Sequence, residues 1–262
     1  MKILLISDVH GNWPALQAVL LAEPDANQIL CLGDLVNYGP QPVECVAWAM
    51  RLNSPSLVIQ GSHDRAFSLG IAPHCAAPYQ HLAEAMQLAT NHLLTPEMKH
   101  FLGALQPIQR FPCGEATCVA YHHHTATRDA PFPHVGGQNA QWPWESDIVL
   151  LGHAEKLFVL IGHPAMLFLS QAHLPMKTHW GNTLVVNPGS VGLPTDGDAR
   201  AAYAVWEDGM VTLRRAAYDV EETVRALELL PLEVQIRQRL VEMLRTGGRL
   251  ATYPTAELAA GR

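Results

Sequence analysis

Apolar runs and helical patterns alternate over the first sixty residues. Lys2–Ser7 is a short, almost uniformly apolar run, which predicts a strand buried on both faces. Pro14 then opens a helical pattern with Leu16, Val19 and Leu20 on one side. Gln28–Leu32 predicts a second strand, Pro42–Leu52 a second helix and Ser56–Gln60 a third strand. A βαβαβ rhythm of this kind predicts a layered α/β domain with helices outside the sheet.

Further along, residues 80–105 read as helical, interrupted at Thr95-Pro96, where Thr suits an N-cap and Pro the first helical turn. Ala116–Tyr121 predicts a strand. Residues 125–146, rich in Pro, Gly and Trp, predict a long surface loop. The pattern then predicts a helix at about 152–162 and a strand at 166–170. Thr183–Val186, Ala201–Glu207 and Val211–Ala216 predict strands of a second sheet, with a tight hairpin turn at Glu207-Asp208-Gly209. Residues 219–246 read as one helical region, and the Gly- and Ala-rich segment 247–262 as a loosely ordered tail. Without an internal repeat or a linker, residues 1–246 are expected to form a single domain.

Composition narrows the class. A chain of 262 residues, 48% hydrophobic and 16% charged, is expected to be a soluble globular protein with a sizeable core. A formal charge of -7 argues against bulk nucleic-acid binding, although not against a small nucleotide held through metal. Five scattered Cys without a C-x-x-C pair (Cys31, Cys45, Cys75, Cys113, Cys118) indicate reduced thiols and a cytoplasmic protein. The opening apolar run is too short for a signal peptide, and the stretch from Leu157 to Leu169 is too short to span a membrane.

Chemistry gathers at the ends of the apolar runs. Asp8-Val9-His10 ends the first, Gly33-Asp34 the second and Gly61-Ser62-His63-Asp64 the third; His122 and Gln171-Ala172-His173 each end a later one. Acidic and imidazole groups at the carboxyl ends of successive strands can converge on one site, and together they suit a divalent transition metal. Asp8 and His10, two apart on a strand end, face the same way. His63 could protonate a leaving oxygen or stabilise a charged transition state, with Asp64 holding its ring; taken in isolation, the segment reads rather as a turn with a capping Asp. In His122-His123-His124, strand alternation puts His122 and His124 on one side and His123 on the other, and position alone does not choose between them. Gly152-His153-Ala154-Glu155 also ends an apolar run, but it reads as the start of the predicted helix.

Taken in order, these segments resemble the calcineurin-like metallophosphoesterase superfamily, and within it the small bacterial and archaeal phosphoesterases. Asp8-Val9-His10-Gly11-Asn12, Gly33-Asp34-Leu35-Val36-Asn37-Tyr38-Gly39-Pro40 and Asn187-Pro188-Gly189-Ser190-Val191-Gly192 match that pattern over roughly residues 1–220. The resemblance implies a four-layer α/β fold, a two-sheet β-sandwich flanked by helices, with metals at the strand ends. It implies a first metal site of Asp8, His10, Asp34 and His173, and a second of Asp34, Ser62, His122 and Gln171. Ser62 and Gln171 stand where the family has Asn and His, so the second site is expected to be weak. His63 and Asp64 are implied as catalytic residues and Asn12 as substrate-binding.

The implied cofactor is a divalent transition metal (Mn, Fe, Zn or Ni), one ion tightly held and a second in doubt. The implied activity is hydrolysis of a phosphodiester or of a small phosphorylated metabolite or nucleotide by metal-activated water. The alternative is a nearly inactive member that binds a nucleotide or phosphate as a sensor or partner module.

Overall fold

The computed structural model describes residues 1–73, 75, 77–113, 116–122, 148–152, 157–161, 167–169, 173–175 and 184–248. The predicted loop at 125–146 lies outside these, as does most of the predicted tail. Within them the strands form two six-stranded sheets. The first is built from β1 (Lys2–Ile6), β2 (Gln28–Cys31), β3 (Leu57–Val58), β9 (His173–Pro175), β11 (Ala201–Glu207) and β12 (Met210–Ala216), in the order β3-β2-β1-β11-β12-β9. The second is built from β4 (Ile108–Cys113), β5 (Ala116–Tyr121), β6 (Ile148–Leu151), β7 (Leu157–Ile161), β8 (Leu167–Leu169) and β10 (Leu184–Pro188), in the order β4-β5-β6-β10-β7-β8.

β1, β2 and β3 are mutually parallel and are linked by helices α1 (Trp13–Ala22) and α2 (Pro42–Ala49). Their alternate side chains serve two cores, as a period of two requires. Ile3, Leu5, Leu30, Leu32 and Ile59 face the other sheet and pack with Cys118, Ala120, Leu150 and Val186. Leu4, Ile6 and Cys31 face the helices and pack with Leu16, Val19, Val46 and Phe67. A strand covered on both sides has no polar face to display, and this accounts for the continuous apolar runs. A third cluster, from α4 (Ala77–Thr90), α6 (Val220–Glu228) and α7 (Val234–Thr246), contains Met86, Leu227, Leu240 and Met243. The remaining helices are α3 (Ser62–Leu69) and α5 (Pro96–Ala104). Among the described residues, no helix is long and apolar enough to cross a membrane.

Four sequence expectations need correction. Within the helix expected at 152–162, Leu157–Ile161 is instead strand β7, hydrogen-bonded to β10 on one side and β8 on the other. A run such as Leu157-Phe158-Val159-Leu160-Ile161 carries no helical period, and an interior strand is its natural place. β11 and β12 were expected beside the 183–186 strand, but β11 pairs antiparallel with β1 and carries β12 into the first sheet. The helical region 219–246 is two helices, parted at Pro231, which has no N–H for a continuous helix. Finally, the segment after β3 is more than a turn with a capping Asp: it starts helix α3 at Ser62, where Asp64 does accept the N-cap Gly61 amide.

Candidate metal centre

Three loops at the carboxyl ends of β1, β2 and β10 are laced together by their backbones. The amides of Asp8, His10 and Gly11 donate to the carbonyls of Gly33, Asp34 and Leu35 at 2.8–3.0 Å, so pairing continues past the ends of β1 and β2. From the other side, the amides of Val191 and Gly192 donate to Ser7 and Asp8 carbonyls at 3.0 and 2.9 Å. Ser190 Oγ donates to the same Asp8 carbonyl at 2.9 Å. The Asn-Pro-Gly-Ser-Val-Gly segment therefore secures the backbone on which Asp8 and His10 are mounted. Asp8, His10, Asp34, Asn37 and Tyr38 all have left-handed φ, between 48° and 78°. Non-glycine residues in this region are strained, and such strain collects at functional sites.

Asp8, Asp34 and His122, all buried, each present one ligand atom, and these atoms lie within 4.8 Å of one another. His122 Nε2 is 3.1 Å from Asp34 Oδ2, and His10 Nε2 is 3.9 Å from Asp8 Oδ1. Both rings are held from behind. His10 Nδ1 donates to the Val36 carbonyl at 3.2 Å and His122 Nδ1 to the Leu32 carbonyl at 2.6 Å. A carbonyl can only accept, so each Nδ1 carries a proton and each Nε2 is the nitrogen turned toward the carboxylates. This backing is typical of metal-ligating histidines. Two carboxylates and two imidazoles so arranged fit a divalent transition metal.

The amino end of α3 closes one side of the cluster. Asp34 Oδ1 accepts from the His63 amide at 2.8 Å, and Ser62 Oγ donates to Asp34 Oδ2 at 3.4 Å. Asp64 does not hold the His63 ring as expected. Its carboxylate accepts the amides of Asp34 and Gly61 at one oxygen (2.9 and 3.0 Å) and that of Leu35 at the other (2.8 Å). It is a backbone clamp. The group that meets the His63 ring is Asn37, whose Nδ2 lies 2.8 Å from Nδ1. Asn37 has no periodicity or spacing to mark it in the sequence, because its reach to His63 depends on the left-handed turn it occupies.

Burial dominates the electrostatics. It raises the pKa of Asp8. It also opposes ionisation of Asp34, but the imidazoles of His122, His63 and His10 hold that carboxyl well below its usual range. Burial pushes His63 down to about 4. His122 rises to about 9, because the attraction and hydrogen bond of Asp34 outweigh burial. Burial and the charge of Asp34 push Asp64 up, against the amides that favour its ionised form.

Residues 1–179 match the model of the calcineurin-like phosphoesterase family. The chain belongs to that family. It is 27% identical to MJ0912 of Methanocaldococcus jannaschii over 250 residues, 92% of this chain and 95% of that protein. It is 22% identical to phosphodiesterase YfcE of Escherichia coli K12 over 216 residues, 81% and 91% of the two chains. The crystal structure of a metallophosphoesterase from Sphaerobacter thermophilus superimposes with a TM-score of 0.71 at 27% identity, covering 94% of this chain and 99% of that one. These likenesses are to bacterial and archaeal proteins, and the structural match accords with the two-sheet α/β architecture.

Two residues that the family resemblance implied for the site are not brought to it. His173 begins β9, at the outer edge of the first sheet. Its backbone partner is Thr212, which pairs with Val205, which pairs with Leu4. His173 is thus level with the middle of β1 and three strands away, roughly 14 Å across the sheet and roughly 13 Å short of Asp8 along it. Asn12 is fully buried, with its amide wholly engaged. It caps α1 through the Ala15 amide, accepts from Thr223 Oγ1 at 2.8 Å, and donates to the Gly192 carbonyl and Tyr218 hydroxyl. It ties α1, α6 and the 187–192 loop together, which leaves it nothing to offer a substrate.

The segment entering the site at the end of β6 is the one first read as a helix start. A Cβ on Gly152 would lie 2.5 Å from both His122 Nδ1 and the Leu32 carbonyl oxygen, and 2.7 Å from Ser7 Oγ. Gly152 therefore sits directly behind the metal-facing ring of His122. His153 and Glu155, which follow it, lie outside the described residues, as do Gln171, His123 and His124.

Proposed function

We propose that the protein is a metal-dependent phosphoesterase acting on a phosphodiester or another small phosphorylated metabolite or nucleotide. The observation that carries this is the buried cluster of Asp8, Asp34 and His122, with His10 backed in its ligating tautomer. The name of the relative YfcE supports the phosphodiester class. Asp8, His10, Asp34 and His122 would hold a divalent ion such as manganese, iron, zinc or nickel. Because Gly152 abuts His122, His153 and Glu155 are proposed to complete the donor set in place of Gln171 and His173. The departures from the family pattern then fall at Ser62 and Glu155. A carboxylate remains a competent ligand whereas a hydroxyl is a poor one, so one ion is expected to bind tightly and a second more weakly.

A bound ion supplies positive charge for phosphoryl oxygens and lowers the pKa of water. The chain itself supplies orientation. Asp64 and the 187–192 loop hold the strained backbones that mount the carboxylates, and Ser62 and the His63 amide steady Asp34. His63 stands beside this cluster to stabilise charge developing on the phosphoryl group.

Turnover of an aryl phosphodiester with added Mn²⁺, reduced about 10²–10³-fold in His63→Ala, is the expected result. The hydroxyl of Ser62 in a ligand position favours a second reading, a member that binds phosphate or nucleotide without turnover. Saturable nucleotide binding with no hydrolysis under any of the four metals would establish that one instead.

A further inference from the structure

We infer that Asn37 is a positioning residue that fixes His63 in the tautomer with Nδ1 bare and the proton on Nε2, so that His63 presents a neutral N–H donor to the substrate phosphoryl group. The assignment of the ring follows from one fixed donor. The Tyr38 amide lies 2.8 Å from Asn37 Oδ1, and a backbone N–H can only donate. That identifies the oxygen of the Asn37 amide and turns its NH₂ to His63, 2.8 Å away. An NH₂ can only donate as well, so His63 Nδ1 must accept. A proton on Nδ1 would leave two donors facing each other in a buried site, with the desolvation of the unmet group uncompensated. Both residues have almost no contact with solvent, and water is not at hand to substitute for the bond.

Asparagine suits the place in three ways at once. It tolerates the φ of 78° seen here, better than most residues. Its carbonyl oxygen receives Tyr38, and its own backbone carbonyl accepts from the Gly39 amide at 2.7 Å. Its NH₂ is what sets the ring. Aspartate would satisfy the first two needs and reverse the third, because an oxygen facing Nδ1 calls for a proton there. The His63 ring is packed edge-on against Tyr38 and His10, at centroid distances of 5.1 and 5.4 Å, which limits its rotation. Nε2, on the far side of the ring from Asn37, is the atom left to act beside the metal cluster. A neutral donor can stabilise charge on a phosphoryl oxygen without giving up its proton, whereas a leaving-group acid must give it up.

This inference rests on the phosphoesterase reading for its use but not for its test. Long-range ¹H–¹⁵N correlation spectra of the metal-free protein at pH 7 report the tautomer, with the His63 signals identified by their absence in His63→Gln. The expected wild-type pattern is Nε2 protonated and Nδ1 bare, with the proton moved to Nδ1 in Asn37→Asp. A wild-type proton on Nδ1, or an Asn37→Asp spectrum unchanged from wild type, overturns the assignment. The wild-type spectrum decides it even if Asn37→Asp does not fold. In turnover assays with Mn²⁺, His63→Gln, which keeps an N–H near the Nε2 position, is expected to retain at least about tenfold more kcat than His63→Ala. Equal losses in the two variants would overturn the donor role. Absence of wild-type turnover would instead reject the phosphoesterase reading, with the spectra still deciding the tautomer.

Discussion

Asp64 carries the backbone of Asp34: it accepts the Asp34 amide at 2.9 Å and the next amide, of Leu35, at 2.8 Å. One buried carboxylate thus holds the other at its left-handed turn, and adds the Gly61 amide from the start of α3. Removing it in Asp64→Ala leaves three buried N–H groups unmet, each worth about 1–3 kcal/mol. A loss on the order of 3 kcal/mol or more in denaturant unfolding is expected, together with loss of bound metal. Asp64→Asn should be milder, because an oxygen can still serve the Asp34 and Gly61 amides while only Leu35 faces the NH₂.

Asn12 separates architecture from chemistry. Asn12→Ala removes the α1 cap, worth about 1 kcal/mol, and orphans Thr223 and the Gly192 carbonyl. Destabilisation of about 2–4 kcal/mol is expected, with KM for an aryl phosphodiester unchanged in protein that remains folded. A raised KM at unchanged stability would restore the substrate-binding role that the family pattern implied.

His173 and His153 provide an opposed pair. His173→Ala is expected to leave metal content per chain unaltered, since β9 holds the residue three strands from β1. His153→Ala is expected to lower affinity by at least about tenfold, as changes even behind the ligands do. Elemental analysis after exposure to excess Mn²⁺ and desalting reads both. The reverse outcome would return the 171–173 segment to the site.

The contact behind His122 makes a steric prediction. Gly152→Ala places a methyl 2.5 Å from His122 Nδ1 and from the carbonyl that this nitrogen bonds. Neither backbone can yield easily, so the ring is displaced. Metal affinity should fall about 10–100-fold, measured by competition with a chelating dye.

The raised pKa of His122 gives metal binding a pH dependence. Below about 9 the ring is protonated in the metal-free protein, and a ligating ion must expel that proton. Apparent affinity should therefore climb by about tenfold per pH unit between pH 7 and 8.5 and flatten above about 9. Stability of the metal-free protein runs the opposite way. A group whose pKa rises from 6.5 to about 9 on folding stabilises most below 6.5, and that contribution disappears as pH increases through 9. Thermal unfolding of chelated protein across this range should show a declining midpoint.

Much of the molecule is legible without coordinates. The uniform apolarity of Lys2–Ile6 and Gln28–Cys31 follows from burial on both faces, and the polar residues that end such strands fall by necessity at one edge of the sheet. Asp8, His10, Asp34 and His63 can accordingly be singled out from the sequence, as local order alone sets them at strand ends, whereas His122 is picked from its triple His only by the family resemblance. Tertiary structure decided everything that depends on which strand lies beside which. Gln171-Ala172-His173 and Gly152-His153 both follow apolar runs, and only the pairing of β6 with β5 and of β9 with β12 separates them by the width of a sheet. The roles of Asp64, Asn12 and Asn37 were equally hidden. A short polar side chain bonds whichever donor or acceptor the fold brings within about 3 Å, and these partners come from segments 26 to 211 residues away.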